Sequence, residues 1–157
     1  MRFLGVDYGR KRIGLALSDA TGTLARPWET IGAGATPAAS ARLVRSRVER
    51  FARETLGDEP IEAIVVGLPR RLNGTDNEQT AGARTFAAVL ADVTGIPVHL
   101  QDERLTSHEA EMRLSEQERD WRARKEKLDA AAAAIILQDY LDAHASDAAR
   151  DNASRST

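Results

Sequence analysis

The sequence predicts an α/β protein built on one mixed β-sheet flanked by helices. Three short apolar segments open the chain, and helical and strand-like segments then alternate in the order β-β-β-α-β-α-β-α-α. Consecutive strands predict an antiparallel meander, and each later strand-helix-strand unit predicts a parallel crossover. The 157 residues contain no repeat or interdomain linker, which favours a single domain over residues 1–143.

The meander is predicted from two strands at residues 2–8 and 12–18, which a short glycine-containing turn joins as a hairpin. A third strand over residues 24–31 contains Pro27, which lacks a backbone N–H and therefore favours an edge position. The apolar run at residues 61–67 is typical of a strand that is buried on both faces.

The helices are predicted mainly from their termini. Thr36 as N-cap and Pro37 in the first turn predict a helix that runs to about Leu56 and stops at Gly57. Two capping boxes predict the starts of two further helices. The boxes are Thr75 with Glu78, opening a helix to about Thr94, and Thr106 with Glu109, after a strand at residues 95–101.

The C-terminal third is predicted to contain one alanine-rich helix from Asp129 to about Ala143. At helical spacing, Ala133, Ile136 and Tyr140 share a face with Asp129. The polar residues 115–127 are predicted to be irregular, and the small, polar residues 144–157 are predicted to be a disordered tail.

Composition excludes several kinds of chemistry. The chain has no cysteine and three histidines, which excludes disulfides and thiolate sites and leaves too few ligands for a convincing zinc site. No apolar run approaches the roughly 18 residues that span a bilayer, so a cytoplasmic protein without a membrane partner is expected. The net charge is −2, yet basic residues concentrate at 1–12, 36–57 and 113–127. Such patches can steer a polyanion, although charge alone favours the simpler interpretation that they are solvated helix faces.

Three acidic positions stand at the ends of predicted elements: Asp7, the Asp102-Glu103 pair, and Asp129. Oxygen ligands without cysteine favour Mg²⁺ or Mn²⁺ over zinc. Strand alternation points Asp102 and Glu103 to opposite faces, so both need not enter one site. Structural roles are the alternative: Asp129 could complement a helix dipole, and Asp7 could pair with Arg10 or Arg12.

A glycine-flanked basic loop, residues 67–75, connects a buried strand to a helix N-terminus. Backbone amides and Arg70 and Arg71 in such a loop could bind a phosphate. The loop lacks the lysine and the spacing of a nucleotide-binding P-loop, and an ordinary strand-to-helix turn remains the alternative.

Four blocks of the sequence, in the same order, resemble the YqgF/RuvX family of the RNase H-like fold, which is related to the RuvC junction resolvases. The blocks are Gly5-Val6-Asp7-Tyr8-Gly9 with Arg12-Ile13-Gly14, Val66-Gly67-Leu68-Pro69 with Asn73-Gly74-Thr75, Asp102-Glu103-Arg104-Leu105-Thr106-Ser107, and Lys127-Leu128-Asp129 with the alanines that follow. The resemblance implies a five-stranded sheet of order 3-2-1-4-5. It also implies a metal-dependent nuclease with Asp7, Glu103 and Asp129 as catalytic, metal-binding carboxylates.

The resemblance leaves one ligand open, because Asp102 is adjacent to Glu103 and is a further candidate for the metal. In the RuvC relatives a catalytic glutamate ends the fourth strand, whereas this chain reads Gly67-Leu68-Pro69 there. The site geometry therefore cannot simply be copied from RuvC. The residues expected to contact nucleic acid are Arg10, Lys11, Arg12, Arg70, Arg71, Asn73, Arg104 and Thr106.

The family implies two possible substrates, a four-way DNA junction and the 5′ end of pre-16S rRNA. Symmetric cutting of a junction requires two sites related by a two-fold axis and therefore a homodimer, which the sequence leaves possible. Two other functions remain open: a catalytically silent nucleic-acid-binding or ribosome-associated module, and an actin-like ATPase. The ATPase is disfavoured because the chain is too short for the second lobe that closes over a nucleotide.

Overall fold

The computed structural model describes residues 1–69, 74–102 and 121–155, and in the last of these ranges the side chains of residues 128–145. Eight elements lie in these ranges. They are β1 (Arg2–Tyr8), β2 (Arg12–Ser18), β3 (Ala25–Gly32), α1 (Pro37–Glu54), β4 (Ile61–Leu68), α2 (Glu78–Thr94), β5 (Val98–Asp102) and α3 (Trp121–Arg155).

The five strands form one sheet in the order β3-β2-β1-β4-β5, as predicted. The β1–β2 and β2–β3 pairs are antiparallel, and β1–β4 and β4–β5 are parallel. β1 therefore lies at the centre of the sheet, and its C-terminal end lies beside that of β4. In open α/β sheets this edge is where ligands collect.

Two apolar cores cover the two faces of the sheet. On one face, Leu4 and Val6 of β1 pack with Val44 of α1 and with Phe86 of α2. On the other face, the alanine-rich stripe of α3 packs against β2 and β4 through residues such as Ala16, Val65, Ala133, Ile136 and Leu137. Alternate residues of β1 thus face different helices, which places each functional side chain on a known side of the sheet.

Three predicted element boundaries differ from the structure. The N-cap of α2 is Asn77, whose side chain accepts a hydrogen bond from the backbone N–H of Gln79, while the Thr80 hydroxyl accepts one from the Asn77 backbone N–H. The predicted Thr75–Glu78 box was therefore wrong. α1 ends at Glu54, because Leu56 already has a left-handed φ of 54°. β5 begins only at Val98.

The C-terminal helix is the largest difference from the sequence prediction. Within the described residues α3 spans Trp121–Arg155, so residues 121–127 of the segment predicted to be irregular and residues 144–155 of the predicted tail are helical. No proline or glycine occurs after Gly95 except Pro97, and alanine and arginine have high helix propensity. The helix predicted from Thr106 lies outside the described residues.

Candidate active site at the end of the central strand

Asp7 lies near the C-terminal end of β1, directly opposite Gly14 of β2 in the antiparallel register. Directly paired residues project on the same face of a sheet. Gly14 faces α3, because a Cβ placed there would lie 1.9 Å from the backbone oxygen of Asp129. Asp7 therefore projects toward α3, on the side away from α1 and α2.

Two glycines allow the backbone of α3 to approach the sheet closely at this point. A Cβ at Gly14 would overlap the Asp129 carbonyl group, and one at Gly5 would lie 2.8 Å from the backbone oxygen of Ala133. Four of the eight buried residues described on α3 are alanines, whose small side chains allow the close approach. This close packing fixes the Asp129 backbone against the strand pair that carries Asp7.

The surroundings of Asp7 disfavour its ionised form. Burial, together with the negative charge of Asp129, raises the pKa of the Asp7 carboxyl from 3.8 to about 7. Two carboxylates that repel each other across a helix-sheet contact raise the free energy of the folded state unless a cation compensates their charge. Such strongly shifted groups concentrate at functional sites.

Arg12 is the ion-pair partner of Asp129. Its Nε donates a hydrogen bond to Oδ2 of Asp129 over 2.8 Å, joining the start of β2 to α3. Arg12 is predicted from the sequence to contact the nucleic-acid backbone or, in a structural role, to pair with Asp7. In the structure its guanidinium engages Asp129, which also lies well inside α3 and is not the first-turn acid that the alternative interpretation required.

Asp102 ends β5, where it pairs with Leu68 of β4. Because β4 separates β5 from β1, Asp102 lies two strands away from Asp7. Within residues 1–69, 74–102 and 128–145, no three histidine or acidic side chains are grouped closely enough to hold a metal ion. The described part of the chain thus brings Asp7 and Asp129 together and leaves Asp102 outside that pair.

The remaining predicted contacts fall into two groups. Arg10 and Lys11 form the exposed β1–β2 turn, next to the end of the central strand. The others lie outside the described residues and stay predictions; these are Glu103, Arg70, Arg71, Asn73, Arg104 and Thr106.

The basic patch on α1 is largely engaged within the protein. Arg47 is nearly buried, forms an ion pair with Glu29 and lies over the Trp28 ring at 4.0 Å from its centroid. Arg50 contacts Glu29 and Glu54 at 3.8 and 3.4 Å. The contacts of Arg47 and Arg50 with Glu29 therefore reduce the positive charge that this helix offers a polyanion.

Comparison with known proteins identifies the family. The family model described as "RuvX: Holliday junction resolvase" matches residues 1–143. The chain belongs to the RuvX family. The family match and the strand order agree with the resemblance that the four sequence blocks indicated.

Curated relatives align along nearly their whole length. A protein of Anaeromyxobacter sp. (strain Fw109-5) is 42% identical over 142 residues, which cover 90% of this chain and 97% of the relative. A protein of Listeria innocua is 38% identical over 146 residues, covering 90% and 98%. Both carry the name "Putative pre-16S rRNA nuclease". These relatives support a nuclease.

Among solved structures, Thermus thermophilus RuvC in complex with a Holliday junction substrate aligns with a TM-score of 0.52. The alignment covers 93% of this chain and 96% of RuvC at 17% identity. This similarity establishes the RNase H-like fold. Within the described ranges, no helix is both long and apolar enough to cross a membrane.

Two features of the site were beyond the sequence analysis. The ion pair between Arg12 and Asp129 was not predicted, because the two residues are 117 positions apart and no local pattern links them. The close approach of α3 to Gly14 was not predicted either. The signal for that approach was available, since a glycine inside an apolar strand often marks a place where another backbone approaches.

Proposed function

We propose that this protein is a divalent-metal-dependent endonuclease that hydrolyses phosphodiester bonds in structured nucleic acid. The observation that carries the proposal is the proximity of a partly buried carboxyl, Asp7, to a second carboxylate, Asp129, at the C-terminal edge of the central strand. Membership of the RuvX family and the relatives' names support nuclease chemistry at that site.

The donor set fits a hard cation such as Mg²⁺ or Mn²⁺. Both side chains offer only oxygen, which these ions prefer. Repulsion between the two carboxylates and the burial of Asp7 favour a proton on Asp7, and a bound cation would relieve the same repulsion while releasing that proton. Glu103 is proposed as the third ligand.

Divalent cations in such a site supply positive charge that activates a water nucleophile and stabilises the leaving oxygen of an in-line displacement. Asp7 would hold the ions from the sheet, and Asp129 would hold them from α3. Arg12 fixes the rotamer of the Asp129 carboxylate through its 2.8 Å hydrogen bond. Arg12 is therefore a positioning residue as well as a possible phosphate contact.

The exposed bases of the β1–β2 turn, Arg10 and Lys11, lie beside this edge and would contact the nucleic-acid backbone. Contacts to phosphates give affinity and salt dependence without reading sequence. Arg70, Arg71, Asn73, Arg104 and Thr106 are proposed to extend the same contact surface.

The two substrates proposed are the 5′ end of pre-16S rRNA and the four-way DNA junction. The first is supported by the names of the curated relatives, and the second by the description of the family model. Hydrolysis by metal ions does not need a 2′-hydroxyl, so the carboxylate pair is compatible with either. Junction cutting would additionally require a homodimer.

The decisive assay compares labelled pre-16S rRNA 5′ leader and a labelled four-way junction in Mg²⁺, in Mn²⁺ and in EDTA. Wild type and Asp7→Asn are compared with Asp92→Asn, which removes an exposed carboxylate from the far end of α2. We expect metal-dependent cleavage by wild type and Asp92→Asn and none by Asp7→Asn.

Each contrary result has a distinct meaning. Cleavage by Asp7→Asn at the wild-type rate would refute the proposed site. If no protein cuts either substrate in any metal, the nuclease proposal fails and a silent nucleic-acid-binding or ribosome-associated module takes its place. Hydrolysis of ATP without cleavage of nucleic acid would instead support the actin-like alternative.

A further inference from the structure

A pocket lies on the face of the sheet opposite to the carboxylate pair. It has a volume of about 310 Å³ and lies between the β1–β2 turn, the start of α1 and the first turns of α2. Its wall includes Tyr8, Arg10, Gly34, Glu78 and Gly82. This volume is at the small end of the range for small-molecule sites, roughly 300–1,000 Å³.

The aromatic wall of the pocket is held in a fixed orientation. The Tyr8 ring stacks on Phe86, with centroids 4.4 Å apart and planes 8° apart. Phe86 is fully buried, so it anchors Tyr8. Gly82 borders the same ring, because a Cβ at Gly82 would lie 3.8 Å from Cε1 of Tyr8. A larger residue at this position would occupy space that the glycine leaves open.

The charges around the pocket favour a base over a phosphate. Arg10 contributes one positive charge and Glu78 one negative charge, so the described lining carries no net charge. A phosphate inside the pocket would be repelled by the Glu78 carboxylate. A neutral, flat group could pack against Tyr8, while an attached phosphate remained near Arg10 at the exposed turn.

We infer that this pocket binds one unpaired nucleobase of the substrate next to the scissile phosphate. The inference rests on the proposed function and specifies its substrate: the strand must be single or locally unpaired beside the cut. A base inside a duplex is stacked on both sides and cannot enter such a pocket unless it leaves the helix. Aromatic packing of this kind tolerates any base.

The position of the pocket supports a link with the carboxylate pair. Tyr8 directly follows Asp7 in β1, and successive strand residues project on opposite faces. A strand of nucleic acid crossing the C-terminal edge of β1 would therefore have its phosphate at Asp7 and a neighbouring base at Tyr8. Arg10 lies at the turn between these two positions.

The test is fluorescence anisotropy of a labelled short single-stranded oligonucleotide, and of the same sequence as a duplex, in EDTA to prevent cleavage. Gly82→Leu fills the pocket and replaces a helical glycine with a stronger helix former, so the fold is retained. The matched control is Ala81→Leu, at the exposed neighbouring position outside the pocket wall. Thermal melts verify that both variants fold.

We expect Gly82→Leu to weaken single-strand binding by about tenfold, the order of the loss from removing one base stack. Gly82→Leu should bind the duplex with wild-type affinity. Ala81→Leu should bind both the single strand and the duplex with wild-type affinity. Unchanged single-strand affinity in Gly82→Leu, or an equal loss for duplex, would overturn the inference. If free ATP competed with the single strand for wild type but not for Gly82→Leu, the pocket would be a site for a free nucleotide and the inference would also be overturned.

Cleavage in Mn²⁺, measured on the same proteins, separates the two proposals. If wild type cuts its substrate and Gly82→Leu binds single strands normally, the pocket inference fails and the nuclease proposal stands. If Gly82→Leu selectively loses single-strand binding but wild type cuts nothing, the nuclease proposal fails and the pocket is a binding site for unpaired bases.

Discussion

Replacing Asp7 by asparagine should stabilise the metal-free protein at alkaline pH while abolishing its activity. Burial and the nearby Asp129 charge raise the pKa of Asp7 from 3.8 to about 7. The folded state therefore holds a proton that the unfolded chain releases at lower pH. Stability consequently falls as pH rises from about 4 to about 7 and stays reduced above that range.

The size of the effect follows from the pKa change. Each pKa unit is worth about 1.4 kcal/mol, so the full change corresponds to about 4 kcal/mol. Asp7 keeps partial contact with solvent, which screens part of this cost. We therefore expect Asp7→Asn to raise the free energy of unfolding at about pH 8 by roughly 1–3 kcal/mol.

The assay is urea unfolding of wild type, Asp7→Asn and Asp92→Asn in EDTA at about pH 4 and about pH 8. The increase in the free energy of unfolding of Asp7→Asn should be large at the higher pH. It should be much smaller at the lower pH, where the wild-type carboxyl is protonated in the folded state and about half protonated in the unfolded state. Asp92→Asn should show no such gain. An Asp7→Asn protein that is no more stable than wild type at about pH 8 would refute the electrostatic account of the site.

Three further predictions concern the surroundings of Asp7 and the basic helix. Gly14→Ala should lower the free energy of unfolding by about 3 kcal/mol, because its Cβ would overlap the Asp129 carbonyl; Gly32→Ala, with no atom within 4 Å of its Cβ, should be nearly neutral in the same urea assay. Arg12→Ala should change the free energy of unfolding by less than about 1 kcal/mol, since the ion pair is partly exposed, yet it should raise the Mn²⁺ concentration needed for half-maximal cleavage. Arg12→Lys should lower that Mn²⁺ concentration part of the way back toward the wild-type value. An unchanged Mn²⁺ requirement in Arg12→Ala would contradict a positioning role. Arg47→Ala should lower the free energy of unfolding by about 2 kcal/mol because the contacts with Trp28 and Glu29 are lost. It should leave the salt dependence of nucleic-acid binding unchanged, and a weaker salt dependence would show that this helix binds the polyanion.

The sheet could be predicted from sequence because its signals are local. Apolar strands of the right length, a glycine-containing hairpin and helical segments between later strands leave few topologies open. The Thr36 cap of α1 was correct because its hydroxyl accepts a hydrogen bond from the Ala39 backbone N–H, as the pattern requires. The position of β4 beside β1 was implied by the resemblance to the RuvX family, and the structure has that pairing.

The errors occurred where two local solutions compete. Thr75 and Asn77 can both cap a helix, and the structure uses Asn77. Thr80 supplies the reason, because it is buried and its hydroxyl also donates a hydrogen bond to the Pro69 carbonyl over 2.5 Å. That tertiary contact links the end of β4 to α2 and cannot be read from the helix sequence alone.

The candidate site was predictable in composition but not in geometry. Asp7 and Asp129 could be selected because each is an acid beside an apolar element. Their proximity depends on Gly14, which lets α3 touch β2, and on Arg12, which holds one carboxylate. Both are long-range contacts, so the sequence could nominate the acids without showing that they meet.

The central claim is that Asp7 and Asp129 together hold a divalent cation. It is tested most directly by titrating Mn²⁺ into wild type, Asp7→Asn and Asp92→Asn and following free Mn²⁺ by electron paramagnetic resonance. We predict that Asp7→Asn binds at least about tenfold more weakly than wild type, and that Asp92→Asn binds as wild type does. Equal Mn²⁺ affinity in wild type and Asp7→Asn would contradict the claim.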